Sequence, residues 1–235
     1  FWQMLLDGVN IKTSLPSPDT FVQKFKAAKE AGDEVICILI ASKLSGTYQG
    51  AMLAKQIVDY DGIHVIDAGH AAASVAEKML VIAACRMRDQ GCTAEEIVRR
   101  LEQLRGSVRL IACLDTLEYL ARGGRLPAAV ASIGTKLQLK PIIVFGENGE
   151  IQVVKKCMGS KRAMRDMTEM VTERRIDPEY PVIPIFAQND GNCQEYMAAL
   201  KNAGCEGTMQ VPQGIGATIG SYIGPGGYGI VFVEK

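Results

Sequence analysis

Hydrophobic and polar positions alternate between two rhythms along the first half of the chain. Val35-Ile36-Cys37-Ile38-Leu39-Ile40-Ala41 is a run of seven apolar residues without Gly or Pro, the pattern of a strand buried on both faces. Ala51, Leu53, Ala54, Ile57 and Val58 then recur at helical spacing. Phe21, Phe25 and Ala28 mark one face of an earlier helix, Thr20–Ala31, capped by Ser17 or Asp19 and ended by Gly32. Gly62–Ala68 reads as a second short strand and Ala71–Gln90 as a long, largely apolar helix. Thr93-Ala94-Glu95-Glu96 opens an amphipathic helix to Leu104 with a capping box. Val108–Cys113 is a further buried strand. The order β-α-β-α-α-β predicts a parallel sheet covered by helices.

The pattern changes after residue 113. Leu117–Leu126 is a short helix ended by two glycines between Arg122 and Arg125. Glu147-Asn148-Gly149 joins strands Gln138–Phe145 and Glu150–Lys156 as a hairpin. Helix Ser160–Arg174, strand Pro181–Ala187, helix Cys193–Ala203 and strand Gly207–Val211 follow. A Gly-rich stretch, 215–227, leads into the last strand, Tyr228–Val233. The reading is α/β in two domains: residues 1–115, a Rossmann-like parallel domain, and residues 116–235, a mixed-sheet domain, with the boundary inside 113–137.

The candidate chemistry sits where the first buried strand turns into its helix, at Ser42-Lys43-Leu44-Ser45-Gly46-Thr47-Tyr48. Ligands of open α/β sheets bind at the carboxyl ends of strands. The first turn of a helix offers free N–H groups and a positive dipole end to an anion. Ser42, Ser45 and Thr47 add hydroxyls, and Gly46 admits close approach. The plainer alternative makes Ser45 the N-cap of the helix, with Gly46 as its first residue. The stretch is neither a Walker A loop nor a G-x-S-x-G elbow. Thr13 and Ser14 lie in a stiff loop with Pro16 and Pro18, where ordinary loop residues are the alternative. Arg122 and Arg125 are aimed at a cleft by the Gly-Gly turn, or are solvated arginines at a helix end. Lys155, Lys156, Lys161, Arg162 and Arg165 form a solvated face or a docking patch for an acidic partner or nucleotide.

Composition narrows the classes. The 235 residues are 48 % hydrophobic and 22 % charged, an ordinary globular balance. Lys+Arg and Asp+Glu both number 26, without the basic excess of a nucleic-acid binder. No apolar run reaches membrane-spanning length. Seven cysteines without C-x-x-C spacing suit reduced thiols and a cytoplasmic setting. Two histidines, His64 and His70, leave little scope for a zinc site or a histidine-based triad, and no cofactor or metal is expected. Phe1 opens in mid-pattern, so a preceding part is expected to be missing.

Five segments together resemble the DegV family of bacterial fatty-acid-binding proteins, which present a fatty acid to a fatty acid kinase. They are Lys12-Thr13-Ser14-Leu15-Pro16-Ser17-Pro18, Ser42–Tyr48, Leu117–Arg125, Leu139-Lys140-Pro141-Ile142-Ile143, and Gly224-Pro225-Gly226. The resemblance covers nearly the whole chain. It implies two α/β domains, an acyl chain in an apolar tunnel, and a carboxylate held at the interdomain cleft by hydroxyls matching Thr13 and Ser45. It also implies phosphate-transfer roles near the Gly-Gly-Arg region and the Lys155–Arg162 segment, and no catalysis by the chain itself. The first family strand and a helix before Lys12 are expected to be absent.

The residues assigned to the ligand on this reading are Thr13, Ser14, Ser45, Gly46, Thr47, Arg122, Arg125, Tyr222 and Gly224. Two positions depart from the family pattern: Tyr222 stands where His is usual, and Met158 where Arg is usual. Tyr still donates a hydrogen bond but is neither cation nor base at neutral pH, and Met donates nothing. Partners on this reading are a long-chain fatty acid and a kinase subunit, with no nucleic acid and no membrane insertion. The competing enzyme reading, an acyl hydrolase or transferase, takes Ser45 as nucleophile and has His70 as its one candidate base.

Overall fold

A computed structural model describes residues 1–126, 139–205 and 207–235. It is α/β, with a small parallel sheet and a larger mixed sheet. The chain divides into two compact units. The smaller is Ser14–Ser107 with Glu147–Glu150, and the larger is Phe1–Thr13, Val108–Gly146 and Ile151–Lys235. The expected contiguous split near residue 115 is therefore replaced by an interleaved one.

In the smaller unit, α2 (Pro18–Ala31) precedes β1 (Val35–Leu39), α3 (Thr47–Val58), β2 (Ile63–Asp67), a 3-10 turn (Gly69–Ala71), α4 (Val75–Asp89) and α5 (Ala94–Leu104). Ser17 caps α2, accepting from the Asp19 N–H, and Pro18 takes the first helical position, where a missing N–H costs nothing. The capping box of α5 is complete between Thr93 and Glu96. β1 and β2 pair in parallel from Val35 with Ile63 to Leu39 with Asp67. Phe25, Ala51, Ala54, Val58 and Ile63 form the core between α2, α3 and the strands.

Two expectations for this unit change. All five residues of β1 are half-buried rather than enclosed on both faces, because among the described residues its sheet has two strands. The helix read as starting at residue 71 starts at Val75. Ahead of it Ala72 (φ 39°) and Ser74 (φ 59°) adopt left-handed backbone that L-residues avoid.

The larger unit begins with α1 (Trp2–Leu6), a helix the hydrophobic pattern did not signal. Its sheet runs β5-β4-β3-β8-β6-β7. The strands are β3 (Val108–Cys113), β4 (Leu139–Phe145), β5 (Ile151–Met158), β6 (Ile183–Phe186), β7 (Gln213–Gly214) and β8 (Tyr228–Val233). β3 was expected to extend the parallel sheet; it pairs antiparallel with β4 and β8 instead. The expected strand 207–211 is reduced to a single bridge between Val182 and Met209, with β7 following it.

All six residues of β8 are buried. α7 (Ser160–Thr172) contributes Ala163, Met164, Met167 and Val171 to the core, and α8 (Gly191–Asn202) contributes Cys193, Tyr196 and Leu200. The described residues of this unit also form two short helices, α6 (Glu118–Arg122) and α9 (Ala217–Ile223). Gln138 and the rest of the expected boundary region, 127–138, lie outside the described residues.

Candidate functional site

The turn that follows β1 is held by backbone bonds to the segment that follows β2. The Ala41 N–H donates to the Ala72 carbonyl at 2.8 Å. The Ser42 N–H donates to Asp67 Oδ1 at 3.1 Å, and the same oxygen takes the Gly69 N–H at 2.9 Å. The Leu44 and Ser45 N–H groups both fold back to the Ala41 carbonyl. Asp67, at the carboxyl end of β2, thus shapes the rim of the smaller unit.

Within this turn the hydroxyls of Ser45 and Thr47 lie 2.8 Å apart, and Ser45 Oγ accepts the Thr47 N–H at 3.3 Å. Gly46, not Ser45, occupies the N-cap position of α3. Ser45 therefore caps from one position further out and shares its hydroxyl with Thr47. Thr47 is buried and Ser45 half-buried. Leu15 packs on Gly46, its Cδ2 3.3 Å from where a Cβ would stand. Ser14 is exposed. Both hydrogen bonds of the Ser45 hydroxyl go to Thr47. His70, the candidate base, belongs to the 3-10 turn after β2.

The larger unit gathers the other group. The Thr13 hydroxyl is hydrogen-bonded to the Tyr222 hydroxyl. The Arg125 guanidinium stacks 4.8 Å from the centre of the Tyr222 ring, and its Nη1 donates to the Gly123 carbonyl at 2.7 Å. This stacking uses the flat face of a guanidinium, which lysine lacks. Arg122 is ion-paired with Glu118 and lies 5.6 Å from the Tyr119 ring centre. Gly224 has φ 73° and ψ 179°, open to glycine alone, and a Cβ there would overlap the Tyr119 ring. Tyr119 was not singled out in the sequence; the glycine it packs on carried the signal. Met158, at the end of β5, is 59 % exposed.

Titration marks one further side chain. Glu77, in the first turn of α4, has its carboxyl pushed up to about 7 by burial, against an opposing hydrogen bond from the Ile40 backbone. No sequence motif flagged it; a lone acid in the apolar stretch Val75–Ala84 was the available sign. Burial also raises the Cys37 thiol to about 11, helped by the Glu77 charge, and the Cys113 thiol to about 12. Such thiols stay protonated at neutral pH and are poor nucleophiles. No cluster of metal-ligating side chains occurs among the described residues, nor does any described helix have the length and apolarity to cross a membrane.

The smaller unit thus pairs two hydroxyls at a strand-to-helix turn, and the larger unit groups Thr13, Tyr222 and Arg125. The sequence comparisons identify the family. The profile of the DegV family, described as uncharacterised proteins, matches residues 3–235, and the chain belongs to that family.

A DegV domain-containing protein of Caldanaerobacter subterraneus is 36 % identical over 236 residues, covering 100 % of this chain and 83 % of the relative. A protein of Thermotoga maritima named as a fatty acid-binding protein is 30 % identical over 230 residues, covering 95 % of this chain and 78 % of its own length. The solved DegV family protein of Thermus thermophilus, described by its fatty acid binding, superposes with a TM-score of 0.85 at 29 % identity. That match covers 99 % of this chain and 82 % of the other.

Proposed function

We propose that this chain binds a long-chain fatty acid and presents its carboxylate to a separate fatty acid kinase, performing no chemistry itself. The observation that carries the reading is the Ser45–Thr47 hydroxyl pair at the amino end of α3, in a chain whose relatives include fatty-acid-binding proteins. The two hydroxyls suit a carboxylate, which accepts hydrogen bonds only. Thr13, paired with Tyr222, is the second source of donors, with Ser14, Gly46 and Gly224 as backbone-close neighbours in sequence of these groups.

Arg125, stacked on Tyr222, supplies positive charge to the Thr13 group, and Arg122 is the second cation of that segment. Tyr222 in place of the family's usual His keeps a hydrogen bond without a titrating charge. The acyl chain supplies most of the affinity, about 0.8 kcal/mol per buried CH₂, in an apolar tunnel. The head group then fixes direction. The setting proposed is the cytoplasm, and the kinase is the proposed partner.

The test begins with an organic extract of the purified, folded protein, examined by mass spectrometry. A stoichiometric fatty acid supports the reading and reports the preferred length and unsaturation. A clean extract, followed by no binding of added fatty acids, overturns it. The variant Thr13→Ala with Ser45→Ala is expected to weaken binding at least tenfold; unchanged affinity would remove these hydroxyls from the head-group assignment. Turnover of acyl esters by the wild type, lost in His70→Ala, would favour Ser45 as a nucleophile instead.

A further inference from the structure

Residues Glu147–Glu150 close the hairpin between β4 and β5 but belong to the smaller unit. Glu147 and Asn148 are exposed, whereas Gly149 is buried at φ 81°. An Asn-Gly hairpin needs positive φ, and that alone would explain a glycine. The surroundings of Gly149 demand more. A Cβ there would overlap the Ala41 side chain and stand 2.7 Å from the Gly69 carbonyl oxygen. Gly32 (φ 73°) and Gly91 (φ 83°), which follow α2 and α4, take similar backbone conformations, and a Cβ on either would meet nothing within 4 Å.

The two residues that Gly149 packs on are the ones that shape the turn after β1. The Ala41 N–H donates to the Ala72 carbonyl at 2.8 Å, and the Ala41 carbonyl accepts the Leu44 and Ser45 N–H groups at 2.9 and 3.2 Å. The Gly69 N–H shares Asp67 Oδ1 with the Ser42 N–H, and the Gly69 carbonyl takes the Ala72 N–H at 2.9 Å. Gly69 is closely packed in its turn. A Cβ on it would stand 3.4 Å from both the Glu147 carbonyl oxygen and Arg105 Nη1, and Arg105 Nη1 donates to the Asp67 carbonyl at 2.7 Å.

We infer that Gly149 is a positioning residue for the Ser42–Thr47 turn: lacking a side chain, it lets the hairpin loop close on Ala41 and Gly69 and so sets where the Ser45 and Thr47 hydroxyls stand. This rests on the assignment of those hydroxyls to a carboxylate head group. Gly149 acts through Ala41, whose carbonyl holds the Ser45 backbone, and through Gly69, which shares an acceptor with Ser42.

The size of the effect follows from the contact. A carbon normally approaches a carbonyl oxygen to about 3.3 Å, so the 2.7 Å position of a Cβ at 149 requires a displacement of about 0.6 Å. The overlap with Ala41 requires a larger one. Hydrogen bonds from a hydroxyl span only about 0.5 Å between their short and long limits. A close-packed interior transmits such a shift rather than absorbing it, and the Ala41 carbonyl passes it to Ser45.

The experiment measures hydrogen exchange of the 42–47 amides without ligand, and affinity for a fluorescent polyene fatty acid. It compares the wild type, Gly149→Ala, Ala41→Gly, the double variant and Gly32→Ala. Gly32→Ala imposes similar left-handed strain away from the contact, so it is expected to lower stability in urea melts and to leave both readouts of the turn unchanged. Gly149→Ala is expected to exchange its Leu44 and Ser45 amides at least tenfold faster relative to those of β2, and to bind at least tenfold more weakly. Adding Ala41→Gly removes one side of the overlap and is expected to restore at least threefold in both readouts.

Turn exchange and affinity in Gly149→Ala that match those of Gly32→Ala overturn the inference, as does a double variant that binds no better than Gly149→Ala. If Gly149→Ala does not fold, Ala41→Gly decides by removing the contact from its other side. At least threefold faster exchange of its Leu44 and Ser45 amides, with several-fold weaker binding, supports the inference; unchanged values overturn it. Faster exchange in Gly149→Ala together with no fatty acid bound by the wild type overturns the head-group reading and leaves Gly149 as the brace of the turn.

Discussion

Replacing Glu77 by Gln changes how stability depends on pH, and both sign and size follow from the structure. The carboxyl titrates at about 7 in the fold against an ordinary value of 4.5, because burial disfavours its charged form. Between those two values the folded protein holds a proton that the unfolded chain has released. Stability from this group is therefore fully present below pH 4.5, falls as pH rises toward 7, and is lost above it. The displacement of about 2.5 pH units corresponds to about 3 kcal/mol at 1.36 kcal/mol per unit. Residual solvent contact of this half-buried side chain screens that figure, so about 1–3 kcal/mol is the expected range.

Glu77→Gln removes the ionisation and keeps a carbonyl for Ile40. Urea denaturation followed by circular dichroism at pH 5 and pH 8 measures the effect. The wild type is expected to lose more stability over this interval than the variant, by about 1–3 kcal/mol, and the variant is expected to be the more stable at pH 8. Identical losses in the two proteins would refute the reasoning. A greater loss in the variant would reverse its sign, meaning that the carboxylate is stabilised in its charged form.

Other expectations concern single contacts. Thr47→Val deletes a hydroxyl of the Ser45 pair and is expected to lower fatty-acid affinity roughly tenfold, the size of a hydrogen bond to a charged group; titration calorimetry reads this directly. Gly224→Ala forces a side chain into a glycine-only conformation and into the Tyr119 ring, so a loss of about 2–4 kcal/mol is expected in denaturant melts. Thr93→Ala breaks the capping box of α5 and is expected to cost about 1 kcal/mol, with faster exchange of the Glu95 and Glu96 amides. Tyr196→Phe removes a buried hydroxyl that has no hydrogen-bond partner among the described residues, and is expected to leave stability unchanged or raise it by up to about 1 kcal/mol in the same melts.

Elements defined by neighbours in sequence were legible in the chain. The run Val35–Ala41, the helix after it, the capping box at Thr93 and the hairpin through Glu147-Asn148-Gly149 all follow from local patterns. A side chain's period and a turn's composition act over a few residues, and the structure keeps each of these features. The hydroxyl turn was legible for the same reason, since an apolar strand followed by an amphipathic helix fixes a strand-to-helix turn between them.

Pairings between distant residues were decided only in the tertiary structure. Val108–Cys113 reads equally well as a strand of either sheet, because a short, mostly apolar run carries no direction; Tyr228–Val233 lies antiparallel beside it in the larger sheet. The helical period of residues 71–90 runs through Ala72 and Ser74, yet the turn after β1 needs the Ala72 carbonyl, and that bond accompanies a non-helical entry to α4.

Thr13 and Tyr222 stand 209 residues apart and share a hydrogen bond that neither local sequence specifies. Glu77 reads in sequence as one acid on a helix, and only the packing of α4 buries its carboxyl. Sequence determined which segments are strand, helix and turn, because those choices are made by short-range sterics and periodic burial. Tertiary structure determined which side chains meet, because a buried donor takes whichever acceptor the packed chain brings within reach.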